Sequence, residues 1–521
     1  MKAINIKKKL YVLLTLFFCI SLQGTSTTEP DTTQPSTRES DIKVSRNCEN
    51  NEVSQQAFDT FELNQIRKPV PHHAKPSQKP NNTGVQNMAE PYNMPESPSK
   101  PGFLDINFVH DKSGYVISTL GYNSAPKAVA IQENNKIVIA GVRDDYPTLA
   151  RYNAHGVNDD GTIDVLDKTF ATVPYGPGVI IQTSLGKNAR FNAVAIQQLG
   201  QTAIAVGSAQ GKCLLACYYD NGTLNTLFGE NGIIKTNIIG QLNAVAIQKD
   251  HKVVATGYSN YNTTDRQILL IRYDEYGLLD DTFGIQGVVI TPVERLAQAN
   301  AITIQEDNKI VVVGTFANNN GITSMLIARY NNEDGSLDQS FGSNGIVILS
   351  VGKNNSFAYD VAIQKDGSIV IVGSSISPYD KSQFTIIRLN PDGSKDGFFG
   401  TDGIVTITPT LYRNDIAYAT SVALDKNDKI IVMGHTMAMT NSLEYNYFSL
   451  IRLNQNGTLD PRFGHQGIWS EPLKLGNNFN RNRLPVFGAL QNDSEKIVLA
   501  GSYSSNHPTT TNQWAIARYL N

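Results

Sequence analysis

From Ala301 to Gly314 the chain reads AITIQEDNKIVVVG, and from Leu326 to Gly345 it reads LIARYNNEDGSLDQSFGSNG. The same grammar recurs from about residue 103 to the C-terminus, and a sustained internal period decides the architecture before any single residue does. Each unit carries Leu-Asp-x-x-Phe, usually followed by Gly-x-x-Gly, as in Leu279–Gly287, Leu337–Gly345 and Leu459–Gly467. Its Phe stands at Phe108, Phe170, Phe228, Phe283, Phe341, Phe399 and Phe463. A β-branched run follows, for example GIVILSV from Gly345 or GIVTITP from Gly403, which suits a strand. Another strand has the form AxAIQ, as at Ala128–Gln132, Ala193–Gln197, Ala244–Gln248 and Ala301–Gln305. A tight polar turn such as EDNK or KDGS leads into the next strand, which ends at Gly141, Gly207, Gly257, Gly314, Gly373, Gly434 or Gly501. Two strands joined this closely read as a hairpin. The last strand of each unit ends in a motif such as Ala-Arg-Tyr or Ile-Arg-Leu.

Four short strands per unit, seven units, and glycines 50 to 67 residues apart predict an all-β chain, a seven-bladed β-propeller of four-stranded blades. Tandem β-sandwiches would need about 100 residues per domain. Solenoid coils would be much shorter.

The combination AIQxDGKIVVxG followed by aRYNxDGxLDxxFGxxG resembles the delta-60 repeat family of bacterial tandem repeats. The resemblance spans roughly residues 103 to 521 and is strongest around Gly257, Gly314 and Gly373. It implies a β-propeller and no assigned biochemical activity. The first unit departs from the pattern, with Val109 and Ala171 where the motif has Gly, so its turns are expected to differ.

The N-terminal residues read differently. Lys2, Lys7, Lys8 and Lys9 precede the apolar stretch Leu10–Leu22, and Gly24 and Ser26 follow it, which is the layout of a secretory signal (1–26) cleaved after Ser26. Thirteen apolar residues fall short of the roughly 20 that span a bilayer. Residues 27–101 are rich in Pro, Ser, Thr, Asn and Gln, too polar to repay ordering, and are expected to form a disordered linker before the propeller at 102–521. His72 and His73 within it read as solvated residues.

A formal charge of −3 with 17% charged residues supplies no basic field for nucleic acid. Of the four cysteines, Cys19 lies in the signal and Cys48 in the linker. Cys213 and Cys217 lie four apart on one strand, roughly 13 Å apart at about 3.3 Å per residue, too far for a disulfide. They read as packing residues.

Most units carry one Arg at the end of a strand and one Asp eight or nine residues on: Arg272 with Asp280, Arg329 with Asp338, Arg388 with Asp396, Arg452 with Asp460 and, across an insertion, Arg151 with Asp167. In one unit both are absent together, with Cys217 for the Arg and Asn225 for the Asp. A lone buried charge is expensive, so joint loss marks the two as partners. Arg518 has no motif after it and Asp105 has no Arg before it, so these two are predicted to meet and close the ring, removing exposed sheet edges.

Other candidates are weighed against structural roles. The strings at Asn331–Asp338 and Asn390–Asp396 resemble parts of calcium loops, but Asp-Gly is ordinary turn chemistry and the spacing completes no EF-hand. The repeated Gln132, Gln197, Gln248, Gln305, Gln364 and Gln491, with Asp425 in the remaining unit, are expected to satisfy backbone groups. If the strand after Gly-x-x-Gly is innermost, the acids near the channel are Glu294 and Glu471. The chain has no G-x-S-x-G, H-E-x-x-H or P-loop. What varies between units is the loop after each strand-ending Gly, such as FANNNGITS or SSISPYDKSQ, with the Ser, Asn and Tyr content of recognition loops. The sequence therefore predicts a secreted or surface-exposed monomeric propeller that binds a protein or glycan, with no catalytic, metal or cofactor residues assigned. The alternative is an exported hydrolase or lyase using Glu294 or Glu471.

Overall fold

The computed structural model describes residues 100–109, 113–118, 120, 123–154, 165–171, 176–260, 266–293, 296–409, 414–439, 444–471, 486–491, 496–503 and 513–521. All lie in the compact unit Thr83–Asn521. The signal, the linker up to residue 99, Cys19, Cys48, His72, His73 and Glu294 fall outside the described residues. Among those described, no helix is long and apolar enough to cross a membrane.

The repeat forms antiparallel sheets. In one, Leu296–Ile304, Ile310–Ala317, Thr323–Tyr330 and Ile346–Leu349 lie side by side in chain order. The AxAIQ strand is thus the first of its sheet, and the strand after Gly-x-x-Gly is the fourth, paired Ile327 to Val347. Four further sheets have four strands, and one has seven, because Ile233–Ile247 is long enough to end one repeat and begin the next.

The middle strands are mostly apolar and buried throughout rather than alternating. Ile310–Ala317 and Thr323–Tyr330 are buried at every position, since both faces of each sheet pack against neighbouring sheets. Between two sheets, Val311, Val313, Met325 and Ile327 meet Ile369, Ile371 and Ile387 around Phe341.

The first strands form the inner ring, each fastened to the next. Asn192 donates its side-chain amide to the Leu242 carbonyl, Asn243 to Ala299 and Asn300 to Ala358, each at 2.8 Å. These Asn residues sit where the ladder register shifts, so they are the extra residues of β-bulges, which re-aim a side chain out of the ladder. The bulge explains the strand-ending glycines: a Cβ on Gly314 would lie 1.9 Å from the Gln298 carbonyl oxygen.

The last sheet is completed from the other end of the chain. Phe487–Leu490, Lys496–Tyr503 and Gln513–Leu520 are joined by Tyr115–Ser118, which pairs antiparallel with Gln513–Leu520. The first unit's turns do depart from the others. Ala171 takes φ 55, the conformation its counterpart Gly229 adopts, and the second glycine is displaced to Gly178.

Candidate functional site

At the end of the sheets where each fourth strand begins, the repeated polar residues close on one another. Arg151 Nε donates to Asp167 Oδ2 at 2.6 Å, Arg272 to Asp280 at 2.9 Å, Arg329 to Asp338 at 2.7 Å, Arg388 to Asp396 at 2.7 Å and Arg452 to Asp460 at 2.9 Å. Arg518 meets Asp105 at 2.9 Å, as the ends of the sequence required. The repeated Phe lies under the guanidinium, with Arg329 4.6 Å from the Phe341 ring centre and Arg518 4.7 Å from that of Phe108. The other carboxylate oxygen caps the following turn, as Asp338 does for Ser340.

Two partners were not read from sequence. The Lys that opens the second strand joins the same carboxylate: Lys309 Nζ is 2.8 Å from Asp338, Lys252 2.9 Å from Asp280 and Lys496 2.6 Å from Asp105. The repeated Lys of KIVVxG was the signal for it. Arg452 also donates to the Asn521 side-chain oxygen at 2.9 Å, and the other five Arg residues reach into the next unit and donate to a backbone carbonyl: Arg151 to Asp220 at 2.6 Å, Arg272 to Asn332, Arg329 to Pro391, Arg388 to Gln455 and Arg518 to Ala154. The last of these joins the final unit to the first. Burial opposes the charge on Asp338, but Lys309, Ser340 and Arg329 outweigh it and hold the carboxyl well below the usual range. Asp105 is lowered in the same way, with Lys496 and Arg518 outweighing its burial.

The exceptional unit is neutral throughout. Asn225 Nδ2 donates to Cys217 Sγ at 3.7 Å, and Thr202 stands where five other units have Lys and one has Ser368. Cys213 and Cys217 are buried, unbonded thiols, pushed by burial up to about 12 and about 11.

Three stretches, residues 305–341, 364–398 and 426–463, match the model of a β-propeller domain of unknown function (DUF5122). They are β-propeller repeats. No curated protein matches the sequence. Similar solved structures include a polysaccharide lyase, Uly1, at 9% identity over 76% of this chain and 90% of that one, with a TM-score of 0.44. A PL25 ulvan lyase bound to -[GlcA(1-4)Rha3S]- is 10% identical over 78% and 95% of the two chains, with a TM-score of 0.43. A protein from Lactobacillus plantarum is 12% identical over 64% and 82%, with a TM-score of 0.38.

The repeated Gln residues serve these propeller repeats as fasteners. Gln364 accepts from Arg388 at 3.3 Å and donates to the Asp428 carbonyl at 3.1 Å, while Gln491 donates to the Asn135 carbonyl at 2.8 Å. The calcium-like strings are capped turns: Asp334 Oδ1 accepts from the N–H and hydroxyl of Ser336, and Asp392 from those of Ser394. Glu471 ends Ile468–Glu471, the fourth and outer-edge strand of its sheet, so the expectation that such a strand lines the channel is overturned. The amide bonds that pass from sheet to sheet, from Asn192, Asn243 and Asn300, run between the AxAIQ strands and put that edge inside.

The inner ring carries an acid that sequence reading missed. Asp360 follows the bulge residue Tyr359 and occupies the register position where other first strands have Ala128, Ala193, Ala244, Ala301, Ser421 or Phe487. Its Oδ2 accepts from the Val422 N–H of the next sheet at 2.8 Å, and its Oδ1 from Val361 N–H at 2.9 Å. Burial, opposed by these two N–H groups, raises its carboxyl to about 6. Aromatic rings gather beside it: Phe357 with Tyr359 at 6.2 Å, Tyr359 with Tyr418 at 6.3 Å, and Tyr418 with His435 at 5.2 Å between ring centres. An Asp in the place of a repeated Ala was the available signal. Tyr359 and Asp360 are half-buried near the middle of their strand, between the fasteners at the Gln364 end and the variable loops that join second and third strands at the other.

Proposed function

We propose that this chain is an exported, monomeric, seven-bladed propeller of the delta-60 type that acts without catalysis, as a binding or scaffold module for a protein or glycan. One observation carries the reading: the polar residues that recur are absorbed by one another, whereas the aromatic and acidic group around Tyr359 and Asp360 does not recur. A half-buried tyrosine next to a carboxylate, backed by the buried rings of Phe357 and Tyr418, suits a recognition site. The count of seven is supported by the strand-ending glycines and by dividing the seven-stranded sheet within Ile233–Ile247. Export is supported by the basic and apolar residues of 1–26.

The test is binding of the mature chain to arrayed glycans and to candidate surface proteins, repeated with Tyr359→Ala and Asp360→Asn. Saturable binding weakened at least tenfold by both substitutions supports the site. Binding that neither changes sinks it.

The alternative, a propeller hydrolase or lyase, has one observation in its favour: a carboxyl raised to about 6 suits general acid or base work near neutral pH. Asp360, rather than Glu471, is then the residue to examine. Release of new reducing ends from a polysaccharide, abolished by Asp360→Asn, would move the assignment to that class.

A further inference from the structure

The repeat is its own control for surface composition, and one unit departs from it. Among the described residues, large exposed apolar side chains concentrate in Tyr276–Ile290, where Tyr276 is 53% exposed, Leu278 60% and Ile285 83%. Other units are polar at these places. Tyr276 and Leu278 replace the capped pair seen as Asp334 with Ser336, and Ile285 replaces Ser343 or Thr401. Leu227, 70% exposed, adjoins this turn, because Gly229 N–H donates to the Tyr276 carbonyl at 2.8 Å. Its counterparts in three units are the hydroxyl residues Thr169, Thr282 and Ser340, while Phe398, 91% exposed, holds the same place in another.

Packing does not require these apolar residues. The turn keeps its shape through Asp274, whose Oδ1 accepts from the N–H groups of Tyr276 and Leu278 at 2.9 and 2.8 Å. Exposed apolar side chains at three repeat positions that are polar in the other units mark an interaction surface. The same junction has lost its charged latch, since Cys217 stands where the other units' Arg would reach the turn at Glu275.

Charge selects the partner. Asp274–Ile290 contains Asp274, Glu275, Asp280 and Asp281 and no Lys or Arg, and Asp280 is paired with Arg272 and Lys252. A second copy would set acids against acids, and an anionic lipid surface would be repelled. We propose that Leu227, Tyr276, Leu278 and Ile285 form a docking surface for a segment of another protein that carries aliphatic side chains between Lys or Arg residues. It is independent of the group around Asp360.

The test is a random 12-residue peptide library selected on the full chain and counter-selected on the triple variant Tyr276→Asn, Leu278→Thr, Ile285→Ser, which installs residues of the kind other units use. Enriched peptides should be net basic with aliphatic residues, and synthetic copies should bind the triple variant at least tenfold more weakly. Glu275→Lys with Asp281→Lys, which leaves the apolar residues in place, should weaken them as much. Asp360→Asn should have no effect. The proposal is overturned if no peptide discriminates the variants, if acidic peptides are enriched, or if the surface instead mediates self-association in sedimentation or binding to phosphatidylserine vesicles that the triple variant loses.

Discussion

Arg518 Nε donates to Asp105 Oδ2 across 2.9 Å, joining side chains 413 residues apart in sequence. Lys496 shares that oxygen at 2.6 Å, and the strand Tyr115–Ser118 completes the sheet of Gln513–Leu520 beside it. The closing contact is therefore made by the same Arg–Asp–Lys set that fastens the units of Asp167, Asp280, Asp338 and Asp460, with its two halves drawn from sequence positions far apart.

Asp105→Asn leaves Arg518 and Lys496 without their counter-charge in a site where Arg518 and Asp105 are almost fully buried. Breaking a buried pair from one side costs about 3–5 kcal/mol. The urea midpoint should fall accordingly, while Asp281→Asn, on an exposed turn, should leave it nearly unchanged. Equal midpoints for the two variants would show that closure contributes nothing.

The neutral unit makes a second prediction. Asp338→Asn alone should destabilise strongly, whereas Lys309→Thr, Arg329→Cys and Asp338→Asn together, copying Thr202, Cys217 and Asn225, should restore part of the loss. A triple variant less stable than the single one would refute the partnership. The comparison is a test of coupling, since the three side chains share one carboxylate.

Stability should respond to pH in two opposite ways. The lowered carboxyls of Asp105 and Asp338 contribute stability that is present above the unfolded value of about 4 and lost as pH falls through the folded value. Asp360 is raised to about 6, so the folded chain binds a proton that the unfolded chain has released, and its contribution declines as pH rises from about 4 to about 6. Urea midpoints measured from pH 3 to pH 8 should show both, and Asp360→Asn should remove only the second.

Gly314→Ala sets a methyl 1.9 Å from the Gln298 oxygen and 2.9 Å from the Ala299 Cα, so the bulge or the sheet must move. Little soluble protein, or a large fall in midpoint, is expected. Gly397→Ala meets nothing within 4 Å and should be neutral or slightly stabilising. Similar behaviour of the two would argue against the bulge as the reason for the repeated glycine.

Buried thiols raised to about 12 and about 11 should not react in the folded chain. Iodoacetamide at pH 8 should modify Cys213 and Cys217 only after unfolding, as read by peptide mass spectrometry. Labelling of either in the native chain at the unfolded rate would contradict the burial.

Much of this was legible in one sequence because the chain repeats. The partnership of Arg329 with Asp338 followed from the joint change at Cys217 and Asn225, and the Arg518–Asp105 contact followed from the unmatched ends. Lys309 was equally visible as a recurring letter, but it belongs to a different strand from either partner, and only the ladder brings it to Asp338. Glu471 was placed near the channel by assuming the wrong inner strand, since periodicity does not distinguish one edge of a sheet from the other.

The sequence by itself determined the period, the four strands of each unit and the pairing of its charges, because these depend on local pattern and on substitutions that change together. Tertiary structure decided which strand lies inside, that Arg329 and four of its counterparts reach a backbone carbonyl of the following unit, and that Asp360 stands in the inner ring with its charge disfavoured. Those features depend on how one sheet faces the next, and the repeat spells out each sheet without spelling out the contact between them.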